Sequence, residues 1–336
     1  MTGEGNVTRH VSAGGTEIYK FPVWAFVDHV TNCYLVLDDA VTLIDCSSAI
    51  GDANGSLERC FENARDEFGL SVGLGDVERL VITHGHIDHF GGTNHVVEQS
   101  GAQVAIHELD VSTLQNFEER RIVAAKDLQI FLRRSGLSSD RIDGMMDMYH
   151  WSKGIFRPVQ VDTVLHEGPL PDSRMQVYHT PGHCPGQICL QLDDIVFTAD
   201  HVLDKITPHQ SPEFITRNMG LGHYFAALEK IQALEDVRVG LGGHLGDIAD
   251  VRGRIAETVA FHQERLDKTL AICNTPKSLK EISRDLFGVR ESYHVLLALL
   301  EAGAHVEYLY ERGLLRVANH EDIEDTPNPV LQYLAV

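Results

Sequence analysis

Three histidines and one aspartate fall within six positions of "VITHGHIDHFGG", residues 81–92: His84, His86, Asp88 and His89. Neutral imidazole nitrogen and carboxylate oxygen are good ligands for borderline divalent metals, and a catalytic centre needs them on a rigid turn with coordination positions left open. The β-branched run before His84 reads as a strand whose end supplies that rigidity. Gly91 and Gly92 let backbone pack closely beneath the turn and open the next helix. On such a turn His84 and His86 converge on one side while Asp88 and His89 face another, which allows two metals rather than one. By contrast His95, His107, His223 and His294, each isolated, read as surface or satisfied core residues. His179, His201 and His209 are candidates for tuning groups outside the ligand set.

Six residues cannot complete two coordination shells, so further ligands are expected downstream, each in a loop that follows a strand. Three residues meet that condition: His183 in "HTPGHCPGQ", Asp200 at the end of "IVFTAD", and His244 in "GLGGHLGD". Alone, each is an ordinary turn or capping residue. Together, at strand ends and in this order, they complete a set of seven.

The elements that must position this set follow from periodicity. "TEIYKFPV" and "TNCYLVLDDAVTLIDCSS" read as strands of an antiparallel meander with a hairpin turn at Asp38-Asp39. "GSLERCFENARDEFGL" has helical apolar spacing, "VERLVITH" is a buried strand, "GTNHVVEQSG" a short helix and "AQVAIHELD" another strand, the alternation of a layered α/β fold. From about 110 to 155 the pattern turns helical and charged, as an inserted cap over the site. "MQVYHT" and "ICLQLDDIVFTAD" return to strands, the latter split by a turn at Asp193-Asp194. Beyond about 250 come a long amphipathic helix, a second helix opened by Ser278 with Glu281 three residues on, a third ending at Gly313, and a short strand "LLRVA". The division expected is a catalytic domain over 1–250 and a C-terminal helical module, winged-helix-like, over 251–336.

Composition bounds the function. The chain has 336 residues, 49 acidic against 28 basic side chains and a formal net charge of -21, which repels nucleic-acid phosphates and anionic membranes at long range. Nucleic acid is therefore an unexpected partner, whereas a small anionic substrate is compatible with a local metal. No stretch is apolar for the roughly 18 to 20 residues of a membrane span, and the first residues lack an apolar signal core, which predicts a cytoplasmic protein. The six cysteines (Cys33, Cys46, Cys60, Cys184, Cys189 and Cys273) show no paired spacing and read as free thiols. A wide apolar stripe on the third tail helix, Val295, Leu296, Leu299, Leu300, Val306 and Leu309, serves core packing or a homodimer contact.

The motifs "THGHIDH", "TPGHCPGQ", "FTAD" and "GGH", spread over most of residues 15–250, resemble those of the metallo-β-lactamase superfamily. That resemblance implies an α/β fold, an αββα sandwich with metals in a shallow groove at one edge. It also implies roles: His84, His86 and His183 for a first metal, Asp88, His89 and His244 for a second, and Asp200 bridging both. With all seven positions filled, the resemblance points to a dinuclear hydrolase with two divalent metals, zinc first and iron or manganese as alternatives. His86, where flavodiiron proteins carry Glu, argues against that redox branch. The "GLGGH" segment departs from the family's usual proline before the glycine, which touches loop shape rather than a ligand.

The tail resembles the subgroup with a C-terminal winged-helix-like extension, which mixes acyl-thioester hydrolases with endoribonuclease-like members. The function expected is hydrolysis of an acyl thioester carried on CoA, glutathione or a carrier protein, with Asp88 orienting the attacking hydroxide. Lactone or RNA phosphodiester hydrolysis on the same metals is the alternative enzyme class. A metal-dependent, ligand-sensing DNA-binding protein is the non-enzyme alternative, and the tail helix lacks the basic face it would need.

Overall fold

The structure, a computed structural model, describes residues 5–151 and 156–336. The chain forms two compact units, one from Met1–Phe117, Ile155–Pro208 and Ala227–Ile255, the other from Glu118–Gly154, His209–Ala226 and Ala256–Val336.

The first unit carries two sheets. In the larger, seven strands lie side by side in chain order: β1 (Thr8–Val11), β2 (Glu17–Phe26), β3 (His29–Leu37), β4 (Val41–Ile44), β5 (Arg79–Ile82), β6 (Gln103–His107) and β7 (Thr163–Leu165). The first four form an antiparallel meander, and β4 to β7 pair in parallel. The smaller sheet contains β8 (Gly168–Pro169), β9 (Gln176–His179), β10 (Ile188–Leu192), β11 (Ile195–Ala199), β12 (Val239–Gly242) and β13 (Asp247–Ile248). Within it only β11 and β12 are parallel.

Strand alternation builds two apolar layers from one sheet, because successive side chains leave on opposite faces. From β3, Tyr34 and Val36 pack with Val177, Leu190, Phe197 and Leu241 of the smaller sheet, which is the sandwich core. Their neighbours Cys33 and Leu35 face the other way, against Leu57, Phe61 and Ala64 of the helix Ala53–Phe68. The same split separates Val81 from Leu80 and Ile82 on β5. Burial on both faces explains why these strands read as continuous apolar runs rather than alternating ones. On the far side of the smaller sheet, a Cβ at Gly240 would lie 2.8 Å from Val251 Cγ2, so the absent side chain lets the next helix seat on β12. The fold class expected from sequence, an αββα sandwich, is what the first unit shows.

In the second unit the charged stretch is helical over Phe117–Arg134, which starts on the last residue of the first unit, and over Ser139–Trp151; residues 152–155 of the expected insertion lie outside the described residues. It groups with the tail, as does His209–Ala226. There, β14 (Lys277–Ser278), β15 (Leu315–Val317) and β16 (Gln332–Ala335) form a three-stranded antiparallel sheet in the order β14-β16-β15. Ser278 caps the helix Leu279–Phe287 as its sequence predicts: Ser278 Oγ accepts the Glu281 amide, and the Ser278 amide donates to Glu281 Oε2 at 2.9 Å. The apolar stripe of the helix Tyr293–Glu311 is largely consumed within the unit, with Leu296, Leu299, Val306 and Leu309 buried. All six cysteines are free and buried. Among the described residues no helix is long and apolar enough to cross a membrane.

Candidate metal centre

All seven predicted residues come together in the first unit. His84, His86, Asp88 and His89 occupy the turn after β5 and the short helix Ile87–Phe90; His183 lies in the loop after β9, Asp200 follows β11, and His244 follows β12. The loops that follow β5, β9, β11 and β12 therefore meet at one end of the sandwich, the usual place for a site built on a rigid sheet. Close approach depends on glycine. A Cβ at Gly92 would lie 2.1 Å from the Cys46 carbonyl oxygen and one at Gly91 2.2 Å from that of Ser48, as the sequence reading of this pair requires. Gly243 is equally constrained, its Cβ position falling 2.3 Å from Asp200 Oδ1 and 2.8 Å from His89 Cε1.

Two nitrogen clusters result. His86 Nδ1 lies 3.2 Å from His84 Nε2 and 2.9 Å from His183 Nε2. On the other side His89 Nε2 and His244 Nε2 are 3.4 Å apart, with Asp88 Oδ2 within 3.5 Å of both. Asp200 stands between the clusters, its Oδ2 3.5 Å from His183 Nε2 and 3.2 Å from His244 Nε2. Its Oδ1 is buried and, among the described residues, accepts no hydrogen bond.

These groups fit metal ions because of how their outer edges are held. His244 Nδ1 donates to the Val30 carbonyl at 2.7 Å, which leaves Nε2 as a bare lone pair facing inward. His89 Nδ1 donates to Asp45 Oδ2 at 2.8 Å with the same consequence. The Thr83 hydroxyl donates to Asp45 Oδ2 at 2.8 Å, so His84 Nδ1, 3.1 Å from that hydroxyl, is the donor to it and His84 Nε2 is also a bare acceptor. Several inward-facing lone pairs around a buried carboxylate repel one another unless a cation or protons lie among them. The groupings His84, His86, His183, Asp200 and His89, Asp200, His244 each could hold one ion.

Electrostatics agree with that reading. Burial, reinforced by its neighbour His183, pushes His86 down to about 3, and burial with His89 and His86 holds His84 well below its ordinary value. Both stay neutral, as ligands must. For Asp200 burial works upward, but His244 and His89 outweigh it and keep the carboxyl well below the usual range; Asp88 is likewise held low against burial, by His89, His29 and His244. Against the burial that opposes it, the same carboxylates raise His89 and His244, so protons compete with metal at the second cluster.

Two residues at the centre carry no sequence motif. Asp45, 2% exposed at the end of β4, holds both His89 and, through Thr83, His84; it also accepts the Thr83 amide at 2.8 Å. The available signal was an acid ending the apolar run "VTLID", since a carboxylate buried at a strand end is costly unless paired. His29, at the tip of the β2–β3 hairpin, places Nε2 2.9 Å from Asp88 Oδ2, with its ring 4.5 Å from that of His244. Nothing in the spacing separates it from a loop histidine. Positive φ at Asp45 (60°), Ala199 (44°) and Leu245 (64°) marks the same loops, as backbone strain does at functional sites.

The tuning candidates settle differently. His179 donates through Nε2 to the Pro185 carbonyl at 2.8 Å and stacks on His107 at 4.0 Å, so both serve packing. His201 is fully buried and pushed down to about 3 by burial. His209 belongs to the second unit, where its ring lies 2.9 Å from the Leu297 carbonyl. His95 pairs with Glu58 and His223 with Glu213, as isolated histidines do.

A two-sheet sandwich with histidines and aspartates gathered at the ends of its strands is the architecture of metal-dependent hydrolases. The family model of the metallo-beta-lactamase superfamily matches residues 27–244, and the chain belongs to that superfamily. Among solved structures it is similar to a metallo-beta-lactamase family protein from Thermus thermophilus, at 27% identity and a TM-score of 0.76 over 95% of this chain and 98% of that one. A beta-lactamase domain protein from Burkholderia ambifaria matches at 22% identity with a TM-score of 0.74, over 98% of this chain and 94% of the other. Among curated proteins, one from Mycobacterium leprae (strain TN), described as uncharacterized, is 26% identical over 223 residues, 63% of this chain and 85% of that one.

Proposed function

We propose that the chain is a dinuclear metal-dependent hydrolase of acyl thioesters, with zinc as the metal expected first. The observation that supports two ions rather than one is Asp200, whose single carboxylate reaches both nitrogen clusters. His84, His86 and His183 would hold one cation, Asp88, His89 and His244 the other, and Asp200 would share itself between them. Bound there, two divalent cations supply Lewis acidity, lowering the pKa of water from 15.7 toward about 7 and polarising a substrate carbonyl.

The chain's own residues do the rest. Asp45 and Thr83 fix the tautomers of His89 and His84, so that the imidazoles need no reorganisation during turnover. His29 holds Asp88 Oδ2 and thereby fixes which carboxylate oxygen remains to orient the nucleophile. A thioester suits the site because a thiolate leaves with little help from a general acid. The net charge of -21 supports a small substrate over RNA, since affinity for a polyanion needs many positive contacts.

Thiol release by the metal-loaded protein across acyl-CoA and acyl-glutathione thioesters tests this reading, with His86→Ala as the blank. Turnover absent from the blank is expected. Turnover on a lactone or a phosphodiester, with none on any thioester, would overturn the substrate class while keeping the metals.

A further inference from the structure

The second unit contains a cavity of about 310 Å³ that the hydrolytic site does not use. Phe131, Leu279 and Val306, each at least nine-tenths buried, form its floor, and Tyr310 and Ile323, half exposed, stand at its mouth. Such a wall is that of a small-molecule site at the lower end of the usual size range, roughly 300 to 1,000 Å³. At about 30 Å³ for each water of the liquid, it accommodates on the order of ten heavy atoms.

The polar groups give the occupant a sign. Arg134, the last residue of the helix Phe117–Arg134, is a lining residue whose guanidinium lies 5.3 Å from the centre of the Phe214 ring. Its Nε is buried and, among the described residues, has no hydrogen-bond partner, which costs free energy unless a ligand supplies an acceptor. The acid that also lines the cavity, Glu307, already accepts the amides of Glu213 at 2.6 Å and Phe214 at 2.9 Å. Burial raises Glu307 to about 7, so on the acid side of neutrality it does not cancel the Arg134 charge.

We propose that this cavity binds a small amphipathic monocarboxylate, its apolar chain among Phe131, Val306 and Leu279 and its carboxylate on the Arg134 guanidinium. A medium-chain fatty acid is the chemical class that matches both the volume and the single positive group. The charge-assisted contact fixes orientation and the apolar wall supplies most of the affinity.

Calorimetric titration of the metal-loaded full chain with sodium octanoate, which has about ten heavy atoms, tests this directly. Saturable one-site binding is expected, with Arg134→Met weakening it about tenfold or more and leaving binding of the neutral 1-octanol unchanged. Arg134→Lys should keep most of the affinity, and Val317→Phe, at the partly exposed rim, should abolish binding of both probes. Binding should also persist in His86→Ala. The proposal is overturned by the absence of saturable binding, by an affinity indifferent to Arg134→Met, or by binding lost in His86→Ala but kept in Arg134→Met, which would place octanoate on the metal centre.

Discussion

Asp45 offers the sharpest residue-scale test, because one carboxylate sets the tautomers of two proposed ligands. Asparagine has the same shape but loses the charge, and one of its two ends donates rather than accepts. Asp45→Asn is expected to weaken metal binding about 10- to 100-fold, read by competition with a chromogenic chelator. An unchanged affinity would mean that His84 and His89 are oriented without it. His86→Ala and Asp200→Ala are expected to abolish hydrolysis while far-ultraviolet circular dichroism stays near that of the parent. Because the Asp200 carboxylate reaches both nitrogen clusters, its variant should lose more than one equivalent of metal by elemental analysis. These seven residues were legible because tight spacing, strand ends and glycines converge on them. Asp45 and His29 were not, since one acts through other side chains and the other reaches Asp88 only once the β2–β3 hairpin folds over the turn.

Among the elements, the turn after β5 is held by packing against backbone. Gly92→Ala would drive a methyl into the Cys46 carbonyl, 2.1 Å from the ideal Cβ position, so a loss of about 1–3 kcal/mol is expected in denaturant unfolding, together with impaired metal binding. Little change in either would show that the Ser47–Cys46 backbone yields easily. In the second unit, Glu307 has a folded pKa of about 7, raised above its ordinary value by burial. A raised carboxyl favours the folded state in its protonated form, so its contribution is full below the unfolded value near 4.5 and is lost as pH climbs through about 7. Thermal unfolding of Glu307→Gln should therefore show a smaller fall in Tm between acid and mildly alkaline buffer than the parent does; equal falls would contradict it. Most strands and helices followed from periodicity, including the Ser278 cap. The short strands β1, β7, β8, β14 and β16 did not, because two to four residues carry too little pattern and owe their state to their partners.

At the scale of the whole molecule, a layered α/β core was readable from the alternation of strands and helices, and the αββα sandwich from the resemblance that the metal motifs carry. The assembly of the second unit was not. It gathers Glu118–Gly154, His209–Ala226 and Ala256–Val336, segments far apart in the chain, and local patterning cannot announce which distant segments will share a core. Bound metal should stabilise the first unit by mass action, by about 4 kcal/mol at a thousandfold excess over Kd, so a strong chelator is expected to lower its unfolding temperature. Whether two metals act together at a site shared by Asp200 is read by titrating metal-stripped protein with zinc while following thiol release from its best thioester. No activity is expected without metal, with a plateau at two equivalents per chain. Full activity at one equivalent, or in the stripped protein, would contradict it.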